Sequence, residues 1–223
     1  GDTLEEKRTG IWTDWREDGA KLSTGEYKRG EKTGKWEYWY SNGQKWSEVH
    51  IENGPCVGWF MNGQKEKEGD VRNGLKSGKW SFWYQDGQKK RDSNYKEGML
   101  EGPCFSWFES GKQEFKGGYK EDLPHGKCEW WYPNGNLDMH GEMDNGKHQG
   151  PWEFYFETGV KGSQGSFKDG LQIGDWTYWY EDGPVWKKGP FVAGETHGLW
   201  VVYYESGSKQ RVGSFNMGKE DGM

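Results

Sequence analysis

The sequence contains few aliphatic side chains and no long hydrophobic run. Hydrophobic residues make up 31% of its 223 residues, charged residues make up 30%, and the mean hydropathy is −1.19. Aliphatic content of this kind argues against a conventional core and, taken alone, is close to that of a disordered protein. The longest apolar run, Leu199–Tyr204, is much shorter than the ~20 residues that cross a bilayer, so no transmembrane helix is predicted.

Residues that usually carry metal or catalytic chemistry are also scarce. Three cysteines and five histidines are present, and they form no ligand cluster at short spacing. Carboxylates such as Glu37, Glu129 and Glu153 are scattered as on a solvated face, with no pair whose pKa values would be driven apart. The glycines precede no predicted helix, which excludes a phosphate-binding loop. The sequence therefore predicts a protein that is not an enzyme and has no catalytic residue, metal or cofactor.

The charge balance is acidic. Thirty lysines and arginines face 36 aspartates and glutamates, which gives a net charge of −6. Basic residues cluster only briefly, at Lys89, Lys90 and Arg91. This argues against a nucleic-acid partner and disfavours an anionic membrane surface, because both need an extended basic patch.

Aromatic residues and glycine are abundant, and they recur at a fixed period. Aromatic side chains make up 17% of the chain, which also contains 37 glycines. Nine copies of one unit each open on a glycine, with a step of 24 residues except for 20 between the second and third copies: Gly10, Gly34, Gly54, Gly78, Gly102, Gly126, Gly150, Gly174 and Gly198. Such a period indicates a solenoid held by stacking between neighbouring copies. The short step is predicted to shorten the loop after the second hairpin.

Each copy has the pattern of a β-hairpin. In the fourth copy, the aromatic run Lys79–Tyr84 predicts a strand, Asp86-Gly87 predicts a tight turn, and Gln88–Tyr95 predicts the returning strand. Gly98 is expected at the next turn. The fold class predicted is therefore all-β, an elongated single-layer antiparallel β-meander of about nine 24-residue hairpin repeats.

The pleat assigns side chains to two faces. A turn at Asp86-Gly87 predicts that Tyr84 faces Lys89 and that Trp80 faces Ser93. In most copies glycine stands at the Ser93 position, so the tryptophan ring is expected to lie over the bare backbone opposite it in the same hairpin. The face with Trp80, Phe82, Tyr84 and Tyr95 is predicted to form the core. All three cysteines, Cys56, Cys104 and Cys128, stand in the Trp80 column and are expected to be small core residues.

The opposite face is polar except for one aromatic column. This column lies five residues after each opening glycine and is the one sequence feature that suggests a binding surface, because rigid aromatic side chains are common interface hot spots. The residues predicted to bind a partner are Trp39, Trp59, Trp83, Trp107, Trp131 and Trp179. The alternative is that the column only stiffens the sheet by stacking along it.

Units such as Gly34–Gln44, GKWEYWYSNGQ, and Gly25–Gly30, GEYKRG, resemble MORN repeats (membrane occupation and recognition nexus) of the bacterial variant found in YwqK-family antitoxins. The resemblance runs from Gly10 almost to the end of the chain. It implies one repeat array over residues 10–223, after a frayed N-terminal segment at residues 1–9. It also implies a twisted trough that serves as a scaffold for protein or lipid contacts.

Two functions of different classes remain open at this point. The first is a scaffold whose aromatic trough binds a partner protein, with a toxin implied by the resemblance. The second is a carbohydrate or cell-envelope binding protein, in which sugar rings would lie on the same tryptophans. End-to-end self-association through a terminal strand is a further expectation. We expect a soluble protein in the bacterial cytoplasm, or in the cell envelope after removal of a signal.

Overall fold

The computed structural model describes residues 7–221, in which the chain forms β-strands joined by tight turns and no helix. Its contacts divide the chain into two compact units, with unit 1 ending at Gly102 and unit 2 beginning at Pro103. Residues 1–6 of the predicted N-terminal segment 1–9, and residues 222–223 of the predicted array 10–223, lie outside the described residues.

Unit 1 is built from antiparallel hairpins in which each of β1 to β7 pairs with the next strand in sequence. Its strands are β1 Gly10–Trp15, β2 Lys21–Lys28, β3 Glu31–Trp39, β4 Lys45–His50, β5 Gly54–Trp59, β6 Lys65–Arg72, β7 Leu75–Trp83 and β8 Lys89–Lys96. The division between the units falls within β9, Met99–Trp107.

Unit 2 continues the same antiparallel pattern of sequential pairing. Its further strands are β10 Gln113–Lys120, β11 Leu123–Trp131, β12 Leu137–Asp144, β13 Lys147–Tyr155, β14 Lys161–Lys168, β15 Leu171–Trp179, β16 Val185–Val192, β17 Glu195–Thr196, β18 Gly198–Tyr203, β19 Lys209–Asn216 and β20 Lys219–Glu220. The predicted all-β class with hairpin repeats is confirmed.

The hairpin turns add one residue to each returning strand. In the fourth hairpin Gly87 has φ of +90°, and its N–H donates to the Tyr84 carbonyl at 3.0 Å. The Tyr84 N–H donates to the Gln88 carbonyl at 2.8 Å, so Tyr84 lies opposite Gln88, and the predicted pairing with Lys89 is wrong. The cause is a bulge after the turn, since a left-handed glycine adds a residue to the loop. Beyond the bulge, the predicted pairing of Trp80 with Ser93 is confirmed.

The connections between hairpins are two-residue turns. At Glu97-Gly98 both residues have positive φ, 52° and 86°, which is the geometry that matches the twist of antiparallel strands. The predicted turn at Gly98 is confirmed. The predicted shortening of the loop at the short step is wrong. The connection there, Ile51 to Asn53, has three residues, and the strands are shortened instead: β4 and β5 have six residues each, whereas β6 and β7 have eight and nine.

The buried tryptophans join neighbouring hairpins. Trp152 is register partner to glycines on both sides, Gly141 in the preceding hairpin and Gly165 in its own. Its ring covers Gly141, and its indole N–H donates to the Glu142 carbonyl at 3.1 Å. Gly165 is covered by Trp176 of the following hairpin. The prediction that each ring covers the glycine of its own hairpin is therefore wrong, because the indole N–H reaches a carbonyl of the preceding one.

The same contact recurs in both units. Each of these rings covers a glycine and donates its N–H to the carbonyl of the residue that follows the glycine, as Trp36, Trp80, Trp152, Trp176 and Trp200 do over Gly25, Gly69, Gly141, Gly165 and Gly189. An indole ring of this kind is an extended buried surface with one satisfied polar group. Its repetition couples each hairpin to the one before it.

At Cys56, the loss of tryptophan from the column is matched by a change in the preceding hairpin, whereas Cys128 lies against the unchanged Gly117. Cys56 is register partner to Val49, which stands where other hairpins have glycine. A small side chain in the column leaves room for a larger one beneath it, which explains why Val49 is tolerated. Cys56, Cys104 and Cys128 are buried and unbridged, so the prediction that they are small core residues is confirmed.

The face with these rings, here named the indole face, forms the core in each unit. Trp80 and Tyr95 are buried and Phe82 and Tyr84 are half-buried. The rings contact one another along the face, for example Trp80 with Phe82 at a centroid distance of 6.0 Å and Trp176 with Tyr178 at 5.9 Å. Aromatic contacts therefore replace the aliphatic core that the sequence lacks.

We predict that Gly165→Ala destabilises the protein by about 1–3 kcal/mol, because a Cβ at this position would overlap the Trp176 ring. Gly213→Ala is the matched control, since it occupies the same column and has no atom within 4 Å of an added Cβ. Urea unfolding followed by calorimetric scans should show a loss of stability for the first variant alone. Equal effects of the two substitutions would contradict the ring contact as the cause.

Candidate functional site

The predicted binding residues lie on the face opposite the indole face, here named the ladder face. Each is the last residue of a strand before a hairpin turn: Trp39, Trp59 and Trp83 in unit 1, and Trp107, Trp131 and Trp179 in unit 2. All six are half-buried. Within each unit the rings form a column with one member per hairpin, because the hairpins repeat the same register.

In unit 1, lysine side chains alternate with the tryptophan rings. Lys21 Nζ lies 4.2 Å from the Trp39 ring centroid, and Lys45 Nζ lies 5.9 Å from the same centroid. Lys65 and Lys89 lie 5.3 and 4.5 Å from the Trp83 centroid. These are cation–π distances, so the ladder face of unit 1 is a column of alternating rings and ammonium groups.

Carboxylates on the same face hold the ammonium groups in place. Lys45 Nζ lies 2.6 Å from Glu37 and 3.1 Å from Glu48, and Lys35 bridges the same two carboxylates at 3.4 and 2.9 Å. Hydrogen bonds from Lys45 and Lys35 lower the pKa of Glu37, and those from Lys35 and Lys45 lower the pKa of Glu48. Both carboxylates are therefore charged at neutral pH, and the ladder face of this hairpin is internally neutralised.

The lysine column was not predicted, although a sequence signal for it exists. Lysine stands two residues after the turn glycine in each later hairpin of unit 1, within the repeated tripeptide Gly-Gln-Lys that ends at Lys45, Lys65 and Lys89. The register pairs each of them with a ladder tryptophan across its hairpin. The turn bulge creates this pairing, which a simple two-residue turn would not produce.

Unit 2 keeps the ladder rings but mostly lacks the lysines. The positions that carry lysine in unit 1 carry Gln113, Leu137, Lys161, Val185 and Lys209 here. Lys161 and Lys209 are the exceptions, and Lys161 Nζ lies 5.8 Å from the Trp179 centroid. The ladder faces of the two units therefore have aromatic rings in the same column but in different chemical surroundings, and Tyr155 and Tyr203 replace tryptophan in unit 2.

A polar cluster in unit 2 surrounds Glu153, which the sequence suggested was isolated. Lys161 Nζ lies 2.8 Å from its Oε1, His140 Nε2 lies 3.1 Å from its Oε2, and the Tyr155 hydroxyl donates to the same oxygen. Hydrogen bonds from Lys161, Tyr155 and His140 lower the pKa of Glu153 to about 2, although burial opposes them. Burial and the Glu153 carboxylate raise the pKa of Tyr155 to about 12. The carboxylate is therefore fixed as charged and the phenol as neutral, which suits a structural network and not proton transfer at neutral pH.

Other candidate chemistry is limited in the described part of the chain. Residues 7–221 contain no group of three or more histidine, cysteine, aspartate or glutamate side chains that could hold a metal ion. Burial raises the pKa of the Cys56 and Cys128 thiols, which keeps them protonated and unreactive. Over the same residues, no helix is long and apolar enough to span a bilayer.

Four segments of the chain match the family model of the MORN repeat variant, at residues 32–53, 76–97, 124–145 and 196–217. The matches support a MORN-repeat protein. Each matched segment covers one hairpin of the structure, for example β7 and β8 for residues 76–97. A comparison with curated proteins finds no match. The repeat family and the hairpin architecture therefore agree in register.

We predict that Glu153→Gln changes the acid stability of the protein. The folded pKa of Glu153 is depressed from 4.5 to about 2, so its charge stabilises the fold above about pH 4.5, and this contribution is lost as the pH falls toward 2. Thermal melts should show the variant below the wild type at pH 7 and equal to it near pH 2. Glu129→Gln in the same column, where Lys116 lies at the longer distance of 3.6 Å, is the control and should lower the melting temperature at pH 7 less than Glu153→Gln does. A variant that parallels the wild type at every pH would refute the role of the cluster.

Proposed function

We propose that the chain is a non-enzymatic repeat scaffold that binds a partner protein through the ladder face. The observation that carries the proposal is the half-buried ring at the same position in successive hairpins of each unit. Half-buried tryptophans offer apolar area to a partner while their rings stay fixed, which is the property of interface hot spots. The aromatic core on the other face does not depend on this exposed area.

The surroundings of the rings favour a protein partner over a glycan in unit 1. A sugar ring binds by lying flat on an indole, whereas the Trp39 and Trp83 rings have lysine ammonium groups at 4.2 and 4.5 Å from their centroids. A glycan would have to displace these charges from both the rings and the carboxylates. A protein surface can instead contact the ring edges and the neighbouring charged groups together.

The proposal extends to the kind of protein that is bound. The similarity to YwqK-type antitoxins suggests a bacterial toxin that the scaffold neutralises by binding. Neutralisation by contact requires only a stable surface, which a repeat array of this kind provides. A toxin partner predicts that co-expression with the wild-type chain restores growth and that co-expression with a ladder variant does not.

We predict that Trp83→Ala weakens partner binding while the fold survives. Trp83 is half-buried, so its truncation should cost about 1–2 kcal/mol of stability, whereas Trp80→Ala should cost about 3–5 kcal/mol because Trp80 is buried over Gly69. Urea unfolding separates the two variants. Similar large losses for both would identify the ladder column as core and remove it as a binding surface.

The binding control is Trp46→Ala. Trp46 is exposed on the indole face of unit 1, where its ring lies 5.8 Å from that of Tyr38. Affinity capture with quantitative mass spectrometry should find a protein retained by the wild type and by Trp46→Ala and lost with Trp83→Ala, and calorimetric titration of the purified pair should reproduce that order. Retention by all three chains would contradict the ladder as the binding face.

A further inference from the structure

Three cationic side chains lie together on the indole face of unit 1, on the opposite side of the sheet from the ladder. Lys67 on β6 and Arg91 on β8 are the two register partners of Phe82 on β7. Lys76 Nζ lies 5.2 Å from the Phe82 ring centroid and Arg91 Cζ lies 4.5 Å from it. Lys67, Lys76 and Arg91, here named the cationic patch, therefore surround one aromatic ring.

Aromatic side chains form the floor of the cationic patch and fix its charges in place. Lys76 Nζ also lies 5.0 Å from the Trp80 centroid and 4.8 Å from the Tyr95 centroid. The Arg91 guanidinium donates to the Tyr95 hydroxyl at 3.1 Å. Cation–π contacts hold both side chains against the rings, which lowers the entropy that a ligand would lose by ordering them.

The cationic patch lacks the carboxylates that neutralise the ladder face. In residues 7–221, neither Lys76 nor Arg91 forms an ion pair, and Lys67 forms one with Glu66 at 3.7 Å. Burial lowers the pKa of Lys76, and repulsion from Arg91 and Lys67 lowers it further. Three positive charges therefore lie close together, and Glu66 beside Lys67 is the carboxylate that pairs with one of them. An anionic ligand would reduce the repulsion between these charges.

We propose that the cationic patch of unit 1 binds an acidic peptide segment of a partner protein, with its carboxylates on Lys67, Lys76 and Arg91 and an apolar side chain against the half-buried Phe82 ring. This site does not use the ladder tryptophans. It therefore stands or falls separately from the proposed function.

Spacing and charge both favour an extended peptide with several carboxylates. Neighbouring strands are ~4.8 Å apart, so the Lys67 and Arg91 backbones are about 10 Å apart. Alternate residues of an extended peptide point to the same side at ~6.8 Å spacing, which long lysine and arginine side chains can reach. The whole chain has a net charge of −6, so it offers an acidic peptide no general attraction, and binding is confined to local positive charge.

The test uses a fluorescein-labelled peptide of about ten residues that alternates glutamate with tyrosine, with fluorescence anisotropy as the readout. Lys76→Gln and Arg91→Gln should each weaken its affinity about fivefold or more, and rising salt should weaken wild-type binding. Lys79→Gln is the matched control, because it removes the same charge from the same strand on the ladder face, where Lys79 contacts Asp92 at 3.4 Å. It should change the affinity less than about twofold.

Several results would overturn the proposal. The first is an equal affinity of Lys76→Gln, Arg91→Gln and Lys79→Gln for the peptide. The second is that a peptide with glutamine in place of glutamate binds as tightly as the acidic peptide. The third is that an equimolar amount of inorganic phosphate displaces the acidic peptide. Trp83→Ala must keep the wild-type affinity for the peptide, and a loss there would move the site to the ladder face. Should Lys76→Gln lower the melting temperature, Lys76→Met keeps the apolar stem over the rings and must still lose affinity.

Discussion

The structure depends on one contact, an indole ring laid over a glycine of the preceding hairpin with its N–H on the next carbonyl. Trp176 over Gly165 is an example, with the N–H bound to the Ser166 carbonyl at 3.3 Å. The contact combines a large buried area with a satisfied donor, and it always joins one hairpin to its neighbour. In a repeat array, stability is approximately a sum of such contacts between neighbouring hairpins. A chain with 31% hydrophobic residues can fold on these terms, since each ring contributes more area than an aliphatic side chain.

This contact also separates the roles of the two faces. Since the rings that couple the hairpins all lie on the indole face, the ladder face is free to vary in charge without loss of the core. Unit 1 uses this freedom to place lysines between the ladder rings and to neutralise them with carboxylates such as Glu37 and Glu48. Its indole face shows the reverse, with Lys76 and Arg91 on aromatic rings and no carboxylate in contact with either among residues 7–221. The two faces of unit 1 therefore differ: ladder-face lysines such as Lys45 are paired with carboxylates, and Lys76 and Arg91 on the indole face are not, among residues 7–221.

The sequence predicted the features that depend on local chemistry. The period, the turns at Gly87 and Gly98 and the alternation of faces follow from residue type and pleat alone. It failed where a bulge changes the register: Tyr84 lies opposite Gln88, and Trp152 covers Gly141 although Gly165 is also its register partner. Periodicity cannot choose between two flanking glycines, because that choice depends on which carbonyl the indole N–H reaches. The pairing of lysine with the ladder rings was not predicted either, because it depends on the bulge after each hairpin turn.

The column of buried rings and the column of glycines fix the fold, which leaves the remaining columns free to differ between the two units. Replacing lysine by Val185 in unit 2 alters the ladder surroundings while the buried Trp176 and Trp200 rings still cover Gly165 and Gly189. The matched pair of Cys56 and Val49 shows that even the coupling columns can change when they change together. Paired substitutions of this kind cost little stability, because the larger Val49 side chain occupies volume that the smaller Cys56 side chain leaves. The repeat pattern therefore identifies the architecture, and the other columns can change by surface substitution while the fold is kept.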